Sequence, residues 1–364
     1  MDLDEHLFRR EAGRMVATLT RIFGVHNLAL AEDVVQDAFC RALEVWKFRG
    51  APENPSAWLM ATAKHRALDV LRRERTARTF APELGRLLES EWTLVPVVEE
   101  MFGTQAIKDD QLRMMFSCCH PRLPGEAQVA LVLHILCGFS VGEIASAFLS
   151  SRAAVEKRIS RGKKVLAESK RLFDVSSTGI AHNAAARGRS LSAESGSRAV
   201  RPDVRDFAAR LCAVHRALYL LFNEGYHGAS AESAVRVELC REAMRLAALL
   251  HEHPLASTPA TYALSALMCL HAARLPARVD GAGNLSSLFE QDRSRWDPAL
   301  VAEGLAFLDR SATGPELSEY HVEAAIASVH ASASDADGTD WEQIVSLYNT
   351  LMTIRPSPVV ALNR

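Results

Sequence analysis

Apolar residues along this chain recur every three or four positions and hardly ever alternate, which predicts helices and almost no strand. In Ala31–Trp46, Val35, Phe39, Leu43 and Trp46 fall on one helical face. Asn54-Pro55 opens the next helix, with a capping side chain followed by proline at the first helical position. Glu126–Leu136 is an apolar helix ended at Cys137-Gly138-Phe139. Ser140 and Glu143 have capping-box spacing before a short helix, and Ser150-Ser151 turns the chain into another. Helical patterns then recur over Phe207–Phe222, Ala231–His251, Thr258–Arg274, Pro298–Arg310, Glu316–Ala331 and Asp340–Ile354. The expected fold class is all-α.

Where the periodicity stops, the chain divides. A first block covers 1–78, with a connector rich in Pro, Glu and Gly over 79–108. A second block covers 109–173. The polar stretch 174–202 has too little apolar content to pack and reads as a flexible linker. A third block, 203–364, is helical again. Its paired helices with small residues at their contacts suggest an α-solenoid.

Composition narrows the class. The 364 residues are 48% hydrophobic and 24% charged, ordinary for a globular chain large enough for two or three cores. The formal net charge is −2, so nucleic-acid binding must come from local patches. No apolar run reaches membrane-spanning length, and residues 1–10 lack a signal core, so a cytoplasmic protein with no membrane partner is expected. The seven cysteines have no framework spacing, and most sit inside apolar helical patterns, where a reduced cysteine behaves as a small hydrophobe.

The positive charge is concentrated. Between Lys64 and Arg78 six basic residues (Lys64, Arg66, Arg72, Arg73, Arg75, Arg78) face two acids, Asp69 and Glu74. That surface suits phosphates, although a solvated helix face would look the same. Trp58, just ahead of it, could stack on an unpaired base or anchor a core. Eight more basic residues lie between Arg152 and Arg171, against Glu156 and Glu168. Ile144, Ala145, Phe148, Val155 and Ile159 are spaced to pack two short helices across a tight turn, a helix-turn-helix whose second helix enters the major groove. Charge on that helix favours DNA over a generic helical pair.

Glu32-Asp33-Val34-Val35-Gln36-Asp37-Ala38-Phe39 resembles the polymerase-binding helix of extracytoplasmic-function sigma factors. Trp58-Leu59 with Ala63, Arg66, Asp69 and Arg72 resembles their promoter-melting helix, and Phe139–Leu166 the domain that reads the minus-thirty-five element. Leu218–Gly225, Glu290–Asp297 and Pro356–Arg364 resemble the tetratricopeptide-like extension of one subgroup. The resemblance implies two small sigma domains, a regulatory third block, and core RNA polymerase and promoter DNA as partners. Asp33, Asp37 and Phe39 would then meet the polymerase. Trp58, Lys64, Arg66, Arg72 and Arg73 would face melted minus-ten DNA. Glu156, Lys157, Ser160 and Arg161 would reach base edges, while Arg158, Lys163 and Lys164 would bind phosphate. Glu156 departs from the usual basic or polar residue and would accept from a cytosine amino group or pair with a basic neighbour. The third block would take a regulatory protein partner. Its last repeat stops just as its second helix begins, so the final helix is expected to fray or to pack on another molecule.

Other chemistry is set aside. Cys118-Cys119-His120, with His134 or Cys137, invites zinc, but adjacent cysteines suit tetrahedral coordination poorly. His215, His227, His251 and His253 read as surface or turn residues. No phosphate loop, nucleophile elbow or carboxylate pair appears, so no catalytic residue, metal or cofactor is expected and the chain is not read as an enzyme. The competing readings are a helix-turn-helix regulator with a helical sensor, and a scaffold whose basic patches are merely solvated.

Overall fold

The computed structural model describes residues 5–73, 104–148, 150–169, 172–173, 204–227, 235–280 and 284–364. Most of the expected connector, the linker 174–202, and Arg75, Arg78, Lys170 and Arg171 lie outside them. All the elements are helical; a lone bridge between Val279 and Leu285 is the only β pairing among the described residues. No helix there is long and apolar enough to cross a membrane. Two compact units divide the chain, Met1–Val214 and His215–Arg364.

The first unit contains α1 (Glu5–Phe23), α2 (Leu28–Arg49), α3 (Pro55–Arg73), α4 (Thr104–Cys118), α5 (Gly125–Leu131), α6 (Val141–Ala147) and α7 (Arg152–Glu168). The first residues of α8 (Val204–His227) also belong to it. Its stops follow local chemistry. Gly50 ends α2 at φ 76, a left-handed conformation that costs glycine little. Asn54 Oδ1 accepts from Ala57 N at 3.0 Å and starts α3. Beyond α5 the backbone widens into a π-turn over Val132–Leu136.

α1 is central. It packs on α2, α3, α4 and the π-turn, and it buries Met15, Leu19 and Phe23 completely. Burying each such side chain contributes about 1.5–3 kcal/mol. At Gly13 an added Cβ would fall 1.9 Å from the Leu136 carbonyl oxygen, so only glycine permits this approach. The segment after α7 returns to α4, where Phe173 N donates to Ser117 Oγ at 2.7 Å. Phe116 stacks on Phe173 and on Phe207 of α8. Cys118 and Cys119 are buried in this core, and burial pushes the Cys119 thiol up to about 12. They fill space as neutral thiols.

The second unit holds the rest of α8, then α9 (Val237–Glu252), α10 (Pro259–Ala272), α11 (Leu275–Arg278), α12 (Pro298–Ser311), α13 (Glu319–Ser332), α14 (Trp341–Ile354) and α15 (Pro358–Asn363). α10 is apolar nearly all round because α9, α12 and α13 cover it. His215 corrects the surface assignment: it is buried and its Nε2 lies 2.8 Å from Thr261 Oγ1. His251 is half-buried, stacked between Tyr262 and Phe307. Val322, Ile326, Ile344 and Leu351 form the core between α13 and α14. Val360 of α15 packs against that core, while Val359 and Leu362 are exposed.

Candidate nucleic-acid interface

The helix-turn-helix has the local chemistry its sequence dictates. Glu143 N donates to Ser140 Oγ at 3.3 Å and Ser140 N to Glu143 Oε2 at 2.8 Å, completing the capping box of α6. Ser151 Oγ accepts from Ala154 N at 3.2 Å and starts α7. Ile144, Ala145, Val155 and Ile159 are buried between the two helices. Gly162 lets α7 lie directly on Leu131 of α5; a Cβ there would approach Leu131 Cδ1 to 2.6 Å.

With Val155, Ile159, Gly162 and Leu166 facing inward, Glu156, Lys157, Ser160, Arg161 and Lys164 form an exposed row. This is the geometry a groove-reading helix requires. Two expected phosphate ligands are engaged within the unit instead. Arg158 pairs with Glu126 at 2.8 Å and donates to Ser150 Oγ at 3.3 Å. Lys163 Nζ lies 2.8 Å from Glu32 Oε1 on α2 and 3.3 Å from His134 Nε2. His134 Nδ1 is 2.9 Å from the Phe139 carbonyl, which can only accept, so that nitrogen carries the proton. Nε2 is then a lone pair turned to the Lys163 ammonium. Burial holds His134 below the usual imidazole range, which keeps it in this neutral form.

Glu32–Lys163 joins the acidic helix to the basic one. Two further ion pairs cross between the same halves of the unit, Arg9–Glu143 at 2.5 Å and Arg21–Asp110 at 2.6 Å. The sequence did not reveal these partners, since Glu32 and Lys163 are 131 positions apart.

On the other half, Asp33 and Asp37 are exposed and Phe39 is half-buried. The buried stripe of α2 runs through Ala31, Val34, Val35, Ala38, Ala42 and Trp46. Leu43, expected on that stripe, is exposed, as is Phe48, leaving apolar side chains on the outer face. On α3, Arg66 pairs with Asp37 at 2.8 Å, so a residue expected at DNA and one expected at polymerase neutralise each other. Trp58 is half-buried and meets Trp46 edge-to-face at 5.3 Å, which makes it in part the anchor its alternative reading required. Lys64 is half-buried; the side chains of Arg72 and Arg73 lie outside the described residues.

These elements coincide with known domains. Residues 7–77 match the model for sigma-70 region 2 and residues 113–166 that for sigma-70 region 4. The RNA polymerase sigma factor CarQ of Myxococcus xanthus is 32% identical over 46% of this chain and 88% of its own length. The chain belongs to the sigma-70 family of RNA polymerase sigma factors. In the terms of that family, α1–α3 form region 2 and α5–α7, with the end of α4, form region 4. The ECF RNA polymerase sigma factor SigX of Bacillus subtilis (strain 168) is 24% identical over 37% of the chain and 68% of its own length. An uncharacterised protein of Rhizobium meliloti (strain 1021) is 37% identical over 96% of the chain and 75% of its own length. Residues 210–312 match a family of unknown function, DUF6596. No solved structure matches the chain.

Proposed function

We propose that this chain is a sigma factor of the extracytoplasmic-function type, bringing core RNA polymerase to specific promoters from the cytoplasm. Region 4 reads the upstream element through the exposed row of α7, and that row is the observation carrying the proposal. Glu156, Lys157, Ser160 and Arg161 contact base edges, and Lys164 contacts phosphate. Arg158 and Lys163 join it once their internal carboxylates are released. Region 2 holds the polymerase through Asp33, Asp37 and Phe39, aided by the exposed Leu43 and Phe48. It holds melted minus-ten DNA through Trp58, Lys64, Arg66, Arg72 and Arg73. The third block, 203–364, is a tetratricopeptide-like regulatory domain that takes a protein partner; α10 packing on α12 and α13, and α13 on α14, supports stacked helical repeats.

The test is salt-dependent promoter binding by polymerase loaded with the native chain or with Lys164→Ala. Losing one exposed contact lowers affinity and reduces the slope of log affinity against log salt by about one. An unchanged slope contradicts the assignment of α7.

A further inference from the structure

The second unit gathers cationic side chains with no carboxylate in ion-pair contact, although Asp335 acts on Arg293 from farther off. Arg274 lies with its guanidinium 5.4 Å from the Trp296 ring centre and 5.9 Å from that of Tyr226. Arg278 lies 4.7 Å from the Tyr226 ring and Arg293 5.3 Å from the Trp296 ring. His271 stands 5.1 Å from Tyr226, and Arg274, His227, Arg278 and His330 all act on it electrostatically. Burial, and then these like charges, hold His271 and His330 in the neutral form.

Among the described residues, no carboxylate comes within 4.0 Å of Arg274, Arg278 or Arg293. The acids nearby are turned to backbone N–H groups instead. Asp280 accepts from Asn284 N, Glu290 from Ser287 N, Asp292 from Ser294 N, Asp297 from Ala299 N and Asp335 from Gly338 N. The arginines donate to neutral acceptors: Arg274 to Gln291 Oε1, Arg278 to the Ser286 carbonyl, and Arg293 to the carbonyls of His330 and Ala333. Carbonyl and amide oxygens occupy donors but leave the net charge in place.

Five buried polar atoms of the same group have no hydrogen-bond partner: Tyr226 Oη, His271 Nδ1, Arg278 Nε, Trp296 Nε1 and His330 Nδ1. Tyr226 is 3% exposed, Trp296 7% and His330 9%. Arg Nε–H and the indole N–H can only donate, and a phenol or neutral imidazole can donate as well. Isolated unpaired donors occur in folded proteins, but a concentration of them beside two guanidiniums without a paired acid, Arg274 and Arg278, needs an acceptor. Ordered water would satisfy the donors and leave the charge.

We infer that this cluster is an oxyanion-binding site, taking a carboxylate or phosphate group whose oxygens accept from the unpaired donors and whose charge offsets Arg274 and Arg278. An oxyanion is the chemistry that meets both demands, with acceptor lone pairs only and the opposite charge. Arg293 and Trp296 also line an open cavity of about 520 Å3 with Pro298, Val301, Leu305 and Ala331. The cluster therefore has a solvent-facing side, and the apolar body of a ligand would lie there. Six of the clustered residues fall within the DUF6596 match, to which no role is attached; His330 lies beyond it. Glu290–Asp297, a segment that region 2 and region 4 leave unused, supplies Arg293 and Trp296. The inference stands independently of the promoter reading.

The test is calorimetric titration of the full chain with inorganic phosphate and, separately, with acetate, each against chloride at equal ionic strength. Saturable binding of at least one probe is expected, and the two arms separate phosphate from carboxylate. Tyr226→Phe removes one unpaired hydroxyl and leaves its ring under both arginines. It should melt no lower than the native chain without anion, yet bind the probe about tenfold more weakly, the loss of one hydrogen bond to a charged acceptor. Arg278→Met should abolish binding. No saturable binding of either probe overturns the inference, as does native affinity in Tyr226→Phe.

Discussion

Arg158 and Arg161 sit three positions apart on one basic helix and differ in their partners. Arg158 is held by Glu126 and Ser150, whereas Arg161 stands exposed in the outer row. In polymerase–promoter binding, Arg158→Ala should therefore change the salt slope less than Lys164→Ala, which removes the phosphate contact of that same exposed row. It should cost the free protein up to about 1 kcal/mol, the usual worth of a partly exposed ion pair. Equal slope changes for the two variants, with no change in melting, would contradict this division. Residue chemistry of this local kind was legible in the sequence. Asn54, Ser140 with Glu143, and Ser151 cap where their spacing placed them, because a cap depends on residues three positions away. Leu43 was misread for a related reason. The inward stripe of α2 is marked by Ala31, Ala38 and Ala42, and alanine carries little periodic signal beside the larger Leu43.

Between elements, the pairing of helices was not legible. A periodic pattern tells which face of a helix is apolar, and not which other helix covers it. α1 gave no motif and was not singled out, yet it joins the rest of region 2 to α4 and the π-turn on the region 4 side. The Glu32–Lys163–His134 contact needs the fold to bring α2 and α7 together. The close approach of Gly13 to Leu136 offers a direct check of this joint core. Gly13→Ala forces α1 away from the π-turn and should destabilise the first unit by about 1–3 kcal/mol, the range for overpacked cores. Chemical denaturation measures it; a variant as stable as the native chain would show that α1 does not lie against Leu136.

Across the whole molecule, His215 and His251 were read as surface or turn residues, yet they and His330 are held neutral by burial in the second unit. Burial holds His215 at about 4, and burial with neighbouring arginines does the same for His251 and His330. In the unfolded chain these groups take up a proton near their ordinary pKa of 6.5. The unfolded state thus binds more protons below that value, so stability is full above it and is lost as pH falls toward about 4. Each group contributes on the order of 1–3 kcal/mol to that loss. Thermal melting in chloride should show the second unit falling in midpoint between about pH 7 and pH 5. A midpoint that stays level would mean that these histidines are solvated. The arginine–histidine cluster escaped the sequence reading because its members come from four stretches far apart in the chain, around 226, 271–278, 293–296 and 330.

The promoter account rests on region 2 and region 4 acting in one chain, both on the DNA, with region 2 also holding the polymerase. Transcription in vitro tests it most directly, with purified core RNA polymerase, the full chain and a library of genomic fragments from the host. The account predicts transcripts with fixed starts that appear only when the chain is added and are lost with Arg161→Ala. Polymerase that binds no chain, or that yields no chain-dependent transcript from any fragment, would contradict it.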